Sequence, residues 1–251
     1  MPAFDIKRFG GNLREATPRN LETRSPCQAC TVRHLTLCAA LGEAELSAMS
    51  AIVSSVELTP GDPLFDEGEP AGYLFNVTAG AVKIYKLLPD GRRQMTGFLF
   101  PGDFLGLAND RTYAYSAEAV TYTTLCRFPR PKLENLLEMY PKMERRLLGM
   151  ASHELAVAQE QMLLLGRKTA REKIASFLLM LSDRAVQRGQ AENPVAVPMS
   201  RNDIGDFLGL TTETVSRTFT QLKQSGAIVL LQGGKIDLSD RPGLEHIAEG
   251  D

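Results

Sequence analysis

Apolar positions along the 251-residue chain change their period twice. Between Val56 and about Phe128 they come in short runs separated by turn formers. Val56–Leu58 precedes Pro60-Gly61-Asp62, Leu64-Phe65 precedes Glu67-Gly68-Glu69-Pro70, and Leu74–Val77 ends at Gly80. Val82–Leu88 ends at Pro89-Asp90-Gly91, Met95–Phe100 ends at Pro101-Gly102-Asp103, and Tyr113–Tyr115 and Val120–Phe128 follow. Strands bounded by Gly and Pro at each corner predict a rolled or closed antiparallel β structure. Upstream, Leu46, Met49 and Ile52-Val53 predict a short helix over Ala44–Val53. Residues 1–26, polar and punctuated by Gly10-Gly11, Pro18 and Pro26, read as a flexible arm.

After Pro131 the period becomes helical. Leu148, Ala151, Leu155, Ala158, Met162 and Leu165 recur at alternating steps of three and four. That is a heptad seam, which predicts a helix paired with a copy of itself. A helix from Pro141 to Leu165 is about 37 Å long. A second helix, Ala170–Arg184, carries Ile174, Phe177, Leu178 and Leu181 on one face. Then come two short helical segments and a hairpin, Ala227–Leu231, Gly233-Gly234 and Lys235–Leu238, the layout of a winged helix-turn-helix. The expected fold is α+β, with an N-terminal antiparallel β-roll, a long dimerisation helix and a C-terminal winged helix-turn-helix. The expected divisions are 1–26, 27–140, 141–168 and 169–251.

The helix-turn-helix carries the first candidate chemistry. Ser200 is an N-cap with Asp203 in the capping-box position, Ile204, Phe207 and Leu208 form a buried face, and Gly209 makes the turn. Thr211 or Thr212 caps the second helix, in which Val215, Phe219 and Leu222 point inward. Glu213, Ser216 and Arg217 share the outward face near its start, where such helices enter a major groove. A carboxylate accepts from cytosine N4, arginine forks onto guanine O6 and N7, and serine reaches a base or a phosphate. Thr212 and Arg201 complete the expected DNA-facing set. The formal charge of −2 means that any DNA-facing surface is local, not a property of the whole chain. No run of about 18 apolar residues predicts a membrane span, and no apolar stretch near the start has signal-peptide length. These features point to a cytoplasmic protein. There is no Gly-rich nucleotide loop, nucleophile–base arrangement or carboxylate pair that would suggest an enzyme.

The chain has four cysteines, Cys27, Cys30, Cys38 and Cys126. Four thiolates select zinc or an iron–sulfur cluster, and in a reducing cytosol a disulfide framework is not expected. Zinc sites normally show two close pairs, whereas here three cysteines cluster and the fold must bring in the fourth. From spacing alone, a zinc site, a thiol redox switch and an iron–sulfur cluster all stay open. His34 reads as a bystander, His153 as solvent-facing on the seam helix, and His246 as part of a terminal tail.

The turns Pro60-Gly61-Asp62, Gly80-Ala81-Val82 and Pro101-Gly102-Asp103-Phe104-Leu105-Gly106 resemble the cyclic-AMP receptor superfamily of bacterial regulators. The cysteine quartet and Glu213-x-x-Ser216-Arg217 resemble its fumarate–nitrate reduction regulator (FNR) branch, over about Cys27 to Leu238. The resemblance implies an oxygen sensor whose four thiolates hold a [4Fe–4S] cluster, and whose dimer reads an inverted repeat of the TTGAT…ATCAA type. It also implies that the turn Pro89-Asp90-Gly91-Arg92-Arg93 faces RNA polymerase. Three departures stand out. Where cyclic-AMP binders carry Arg and Ser or Thr, this chain has Tyr113-Ala114, so no cyclic nucleotide is expected. The Cys-x2-Cys-x7-Cys spacing has two more residues in its final gap than the best-known member. An acidic seam residue of several members is matched here by Ala158, which implies a cluster-free protein that dimerises more readily.

Overall fold

The computed structural model describes residues 27–107 and 111–250. The arm expected over 1–26 lies outside the described residues. The chain opens with two 3-10 turns, Arg33–Leu35 and Leu37–Ala40, and a five-residue helix α1 (Leu46–Ser50). The helix expected over Ala44–Val53 is thus trimmed at both ends, though Leu46 and Met49 are buried as the pattern requires.

Eight strands follow: β1 (Ser54–Leu58), β2 (Pro63–Phe65), β3 (Tyr73–Ala79), β4 (Val82–Leu87), β5 (Arg93–Leu99), β6 (Phe104–Leu105), β7 (Ser116–Ala119) and β8 (Thr123–Pro129). They form two four-stranded antiparallel sheets, ordered β1-β8-β3-β6 and β2-β7-β4-β5. Val77, Val82, Leu99, Leu105 and Leu125 belong to the core that this roll encloses. The expected strand Tyr113–Tyr115 is a correction: the paired strand is Ser116–Ala119. Tyr113 instead lays its ring on Phe65, with centroids 3.7 Å apart, and its hydroxyl donates to the Tyr73 carbonyl at 2.8 Å. Burying an aromatic ring with a satisfied hydroxyl outweighs ladder pairing at this position.

Helices α2 (Arg130–Met139) and α3 (Pro141–Arg167) are separated at Tyr140, and each has a proline in its first turn. A capping box between Thr169 and Glu172 starts α4 (Ala170–Gln187). The C-terminal part adds β9 (Val195–Ala196), α5 (Arg201–Leu208), α6 (Thr212–Gln224), β10 (Val229–Leu230), β11 (Lys235–Asp237) and α7 (Arg241–Glu249). The hairpin β10–β11 is extended by β9 into a small three-stranded sheet ordered β10-β11-β9. His246 therefore lies in a helix that buries Leu244 and Ala248, not in a tail.

One hydrophobic cluster crosses the expected division between roll and C-terminal part. Ala81, Met95, Phe98 and Phe100 of the roll pack with Phe177 of α4 and Phe207 of α5. The rings of Phe98, Phe177 and Phe207 lie 5.1–6.2 Å apart, an arrangement that adds about 0.5–1.5 kcal/mol per pair beyond burial.

Candidate functional site

All four cysteines line one cavity of about 410 Å³, between the 3-10 turns and the β1–β8–β3 sheet. Cys27 is buried, and Cys30, Cys38 and Cys126 are half-buried. Cys126 reaches the cavity from β8, where it is paired with Ser55 of β1 and Asn76 of β3. Burial, together with the neighbouring thiols, pushes the Cys126 thiol up to about 12. Burial also pushes Cys38 up to about 11, against the hydrogen bond with Thr36. Ligation by these groups therefore requires that protons be released on binding. The His34 side chain is exposed and is not part of the cavity wall.

Among the described residues, no three His, Cys, Asp or Glu side chains converge closely enough for a single ion. Tetrahedral zinc needs thiolates about 2.3 Å from one centre. Four thiols on one cavity wall supply the soft donor set that holds zinc or an iron–sulfur cluster.

The cysteine segment is fastened to the helix that carries the seam. The Arg146 guanidinium on α3 donates from Nε to the Thr36 carbonyl at 2.6 Å and from Nη2 to the His34 carbonyl at 3.0 Å. One turn earlier, Lys142 pairs with Glu45 at 2.8 Å. Within the segment, Thr36 Oγ1 accepts from the Cys38 backbone N–H at 3.2 Å, and Arg33 donates to the Leu41 carbonyl at 2.6 Å. The two Arg146 attachments left no mark in the sequence, because they join a side chain to main-chain carbonyls 110 and 112 positions away.

On α3 the seam residues Leu148, Leu155 and Met162 are 66%, 61% and 68% exposed, too much apolar surface in one row to be incidental. Ala158 is exposed and Ala151 half-exposed in the same row. Leu165 differs: it is half-buried against its own chain, near Gly209. Close by, Gln161 donates to the Phe207 carbonyl at 2.9 Å, tying the end of α3 to the helix-turn-helix.

In α5 the Ser200–Asp203 capping box is complete, and Gly209 takes the left-handed conformation (φ 64°) that ends the helix. A Cβ at Gly205 would stand 2.6 Å from the Leu210 carbonyl oxygen, so only glycine allows the turn to close this tightly. Thr211, not Thr212, caps α6, accepting from the Thr214 N–H at 3.1 Å. Thr212 donates to Asn202 Oδ1 at 3.1 Å and so braces α6 against α5. Val215, Thr218, Phe219 and Leu222 are buried, while Glu213, Ser216 and Arg217 are exposed together. Thr220 extends that exposed face by a turn, following the three-and-four spacing that the sequence already showed. Arg201 sits elsewhere: its guanidinium lies 3.4 Å over the Phe219 ring, and burial lowers its pKa. Arg201 thus packs the two helices together, as a cation–π clamp.

In the turn between β4 and β5, Pro89–Arg92 is exposed, but Arg93 is not free. It reaches Asp203 at 3.0 Å and Asp206 at 3.2 Å on α5.

Comparison with known proteins agrees with this architecture. Residues 55–140 match the cyclic nucleotide-binding domain model and residues 172–247 the Crp-like helix-turn-helix domain model. The chain is 44% identical over 205 residues to the transcriptional activatory protein AadR of Rhodopseudomonas palustris, covering 82% of this chain and 86% of that one. It is 41% identical to the nitrogen fixation regulation protein FixK of Bradyrhizobium diazoefficiens, covering 88% and 93%. It is also 37% identical to the transcriptional activator protein anr of Pseudomonas aeruginosa, covering 89% and 93%. The structure of FixK2 from Bradyrhizobium japonicum superposes with a TM-score of 0.72 at 40% identity, covering 78% of this chain and 97% of that one. The chain belongs to the FNR branch of the cyclic-AMP receptor protein superfamily of bacterial transcription regulators.

Proposed function

We propose that this protein is an oxygen-responsive, cytoplasmic transcription activator. It binds an inverted repeat of the TTGAT…ATCAA type as a homodimer, and a [4Fe–4S] cluster is ligated by Cys27, Cys30, Cys38 and Cys126. The observation that carries the reading is the cavity of about 410 Å³ with all four cysteines on its wall. When bound, the cluster supplies the oxygen-reactive centre. The residues of the chain do the rest. Arg146 ties the segment bearing Cys38 to α3, so a rearrangement of that segment reaches the seam helix. The exposed Leu148, Leu155 and Met162 support pairing of α3 with its copy, which sets two recognition helices at half-sites about one DNA turn apart. Glu213 and Arg217 contact base edges there, and Ser216 assists. The exposed Pro89–Arg92 turn is the surface offered to RNA polymerase. The aromatic stack of Tyr113 on Phe65 fills roll interior where cyclic-AMP binders hold the phosphate, which supports regulation without a cyclic nucleotide.

The test is a visible spectrum of protein purified without oxygen, recorded before and after admitting air. The expected result is a broad band near about 400 nm that bleaches, with about four irons per chain, as for thiolate-held clusters. A colourless protein with about one zinc, indifferent to air, would keep the DNA-binding reading and overturn the oxygen-sensing one.

A further inference from the structure

A second cavity, of about 550 Å³, lies where the roll, α3 and α4 meet. Its wall includes the turn Pro101-Gly102-Asp103, the flank of α3 from Arg145 to Val157, and Arg184 and Arg188 of α4. On α3 the wall positions Arg146, Met150, His153 and Val157 fall roughly half a turn around the helix from Leu148, Leu155 and Met162, at about 100° per residue. Ala151 of the seam also lies on the wall, so the cavity borders the seam on one side.

The electrostatics of the wall are unbalanced. Four guanidinium groups, of Arg145, Arg146, Arg184 and Arg188, face two carboxylates, of Asp103 and Glu154. Asp103 is taken: Arg184 pairs with it and also donates to the Phe98 carbonyl at 2.9 Å, while the Phe100 N–H donates to the same carboxylate. Arg146 spends its donors on the cysteine segment, whose carbonyls are uncharged. Arg188 is left over. Its guanidinium stacks 4.6 Å over the Phe100 ring, and its Nε is buried with no hydrogen-bond partner. A buried donor without an acceptor is rare, and a water, an ion or a ligand group in the cavity can complete it. Burial, and then the charge of Arg184, push the Arg188 pKa down to about 10, and the charge of Asp103 only partly offsets them.

We propose that this cavity binds a small, multiply charged oxyanion, a phosphate monoester or a dicarboxylate, with Arg188 as its principal partner and Arg145 as a second. Arg188 at the C-cap of α4 and Arg145 across the cavity on α3 together suit a head group with several oxygens better than a lone carboxylate. The cavity is larger than such a head group, and Leu147, Met150 and Phe104 offer apolar wall to an organic body. Since the site touches the roll, the seam helix and the first helix of the C-terminal part, a bound anion links all three.

Thermal unfolding of the full-length protein, titrated with inorganic phosphate and separately with succinate at constant ionic strength, tests this. The expected result is a saturable rise in Tm with at least one of the two, and an apparent affinity about tenfold weaker in Arg188→Gln. Arg145→Gln, at an exposed position that cannot disturb folding, should weaken the same ligand. A response to phosphate alone assigns a phosphoryl head, and one to succinate alone a dicarboxylate. No saturable rise with either, or a rise unchanged in both variants, would overturn the proposal.

Discussion

Lys83 of the β-roll and Asp203 of the helix-turn-helix meet at 3.1 Å, 120 positions apart, in an ion pair that is all but closed to solvent (residue exposures 8% and 6%). Glu118 holds Lys83 from the other side at 2.8 Å, and Arg93 holds Asp203 at 3.0 Å. Asp203 also accepts from Ser200 in the capping box of α5. The capping-box acid in the first turn of the DNA-reading element thus also ties that element to the sensor domain.

Asp203→Ala should cost about 3–5 kcal/mol, because it leaves Lys83 buried beside one acid only and removes a cap. Lys83→Met should cost less, since Arg93 and Ser200 still satisfy the carboxylate. Burial works against ionisation of Asp203, but hydrogen bonds from Ser200 and Lys83 and the charges of Lys83 and Arg93 outweigh it, and the pKa is lowered. With a depressed folded-state pKa, the contribution is fully present above the unfolded value of about 3.9 and is lost as pH falls below it. Denaturant midpoints measured from pH 7 to 3 should therefore fall more steeply in wild type than in Asp203→Asn.

Ala158 places no charge between the exposed Leu155 and Met162 of the seam. The cluster-free protein is expected to sediment as a dimer at micromolar concentration. Ala158→Asp should set two carboxylates against each other at the two-fold axis and weaken dimerisation by about 100-fold or more, roughly 2.8 kcal/mol. A metal-free wild-type protein that sediments as a clean monomer would sink the argument.

On α6, Arg217→Ala should lose about 1–3 kcal/mol of discrimination at one base pair of each half-site, and Glu213→Gln a comparable amount at another. Arg217→Lys should not restore the loss, because an ammonium cannot fork onto O6 and N7. Arg201→Ala should behave differently. It removes the ring contact with Phe219, so it should lower Tm and weaken binding to all sequences alike. Gel-shift titrations against single-base variants of the repeat separate these outcomes.

What the sequence disclosed follows from periodicity and caps. The roll, the long α3 and both helix-turn-helix caps were legible because each depends on neighbours within a few residues, such as Ser200 with Asp203 and Thr211 with Thr214. The strand Ser116–Ala119 was misplaced because Tyr113 and Tyr115 look like strand residues but are packed as ring-on-ring core. Convergence of Cys126 on the other three thiols was inferred only by elimination, since its register depends on β8 pairing with both β1 and β3. Long-range ionic contacts left no trace at all. Lys83 carries no local signal and Arg93 belongs by resemblance to the turn facing RNA polymerase, yet the fold sets both against α5.

The most consequential of those hidden contacts is Arg146. Its two hydrogen bonds to the Thr36 and His34 carbonyls hold the segment between Cys30 and Cys38 on α3. Charge-assisted hydrogen bonds contribute about 1.5–3 kcal/mol each. Arg146→Gln should therefore free residues 27–41 while leaving the C-terminal part intact, because the core around Ile174, Phe207 and Phe219 does not involve it. Limited proteolysis should cut the segment at least about tenfold faster, corresponding to roughly 1.4 kcal/mol of lost protection. If seam and sensor communicate through this side chain, dimerisation of the variant should also stop responding to the state of the cysteines. A variant whose segment is cut faster but whose dimerisation still follows the cysteines would place the communication elsewhere, with the Lys142–Glu45 pair the next contact to break.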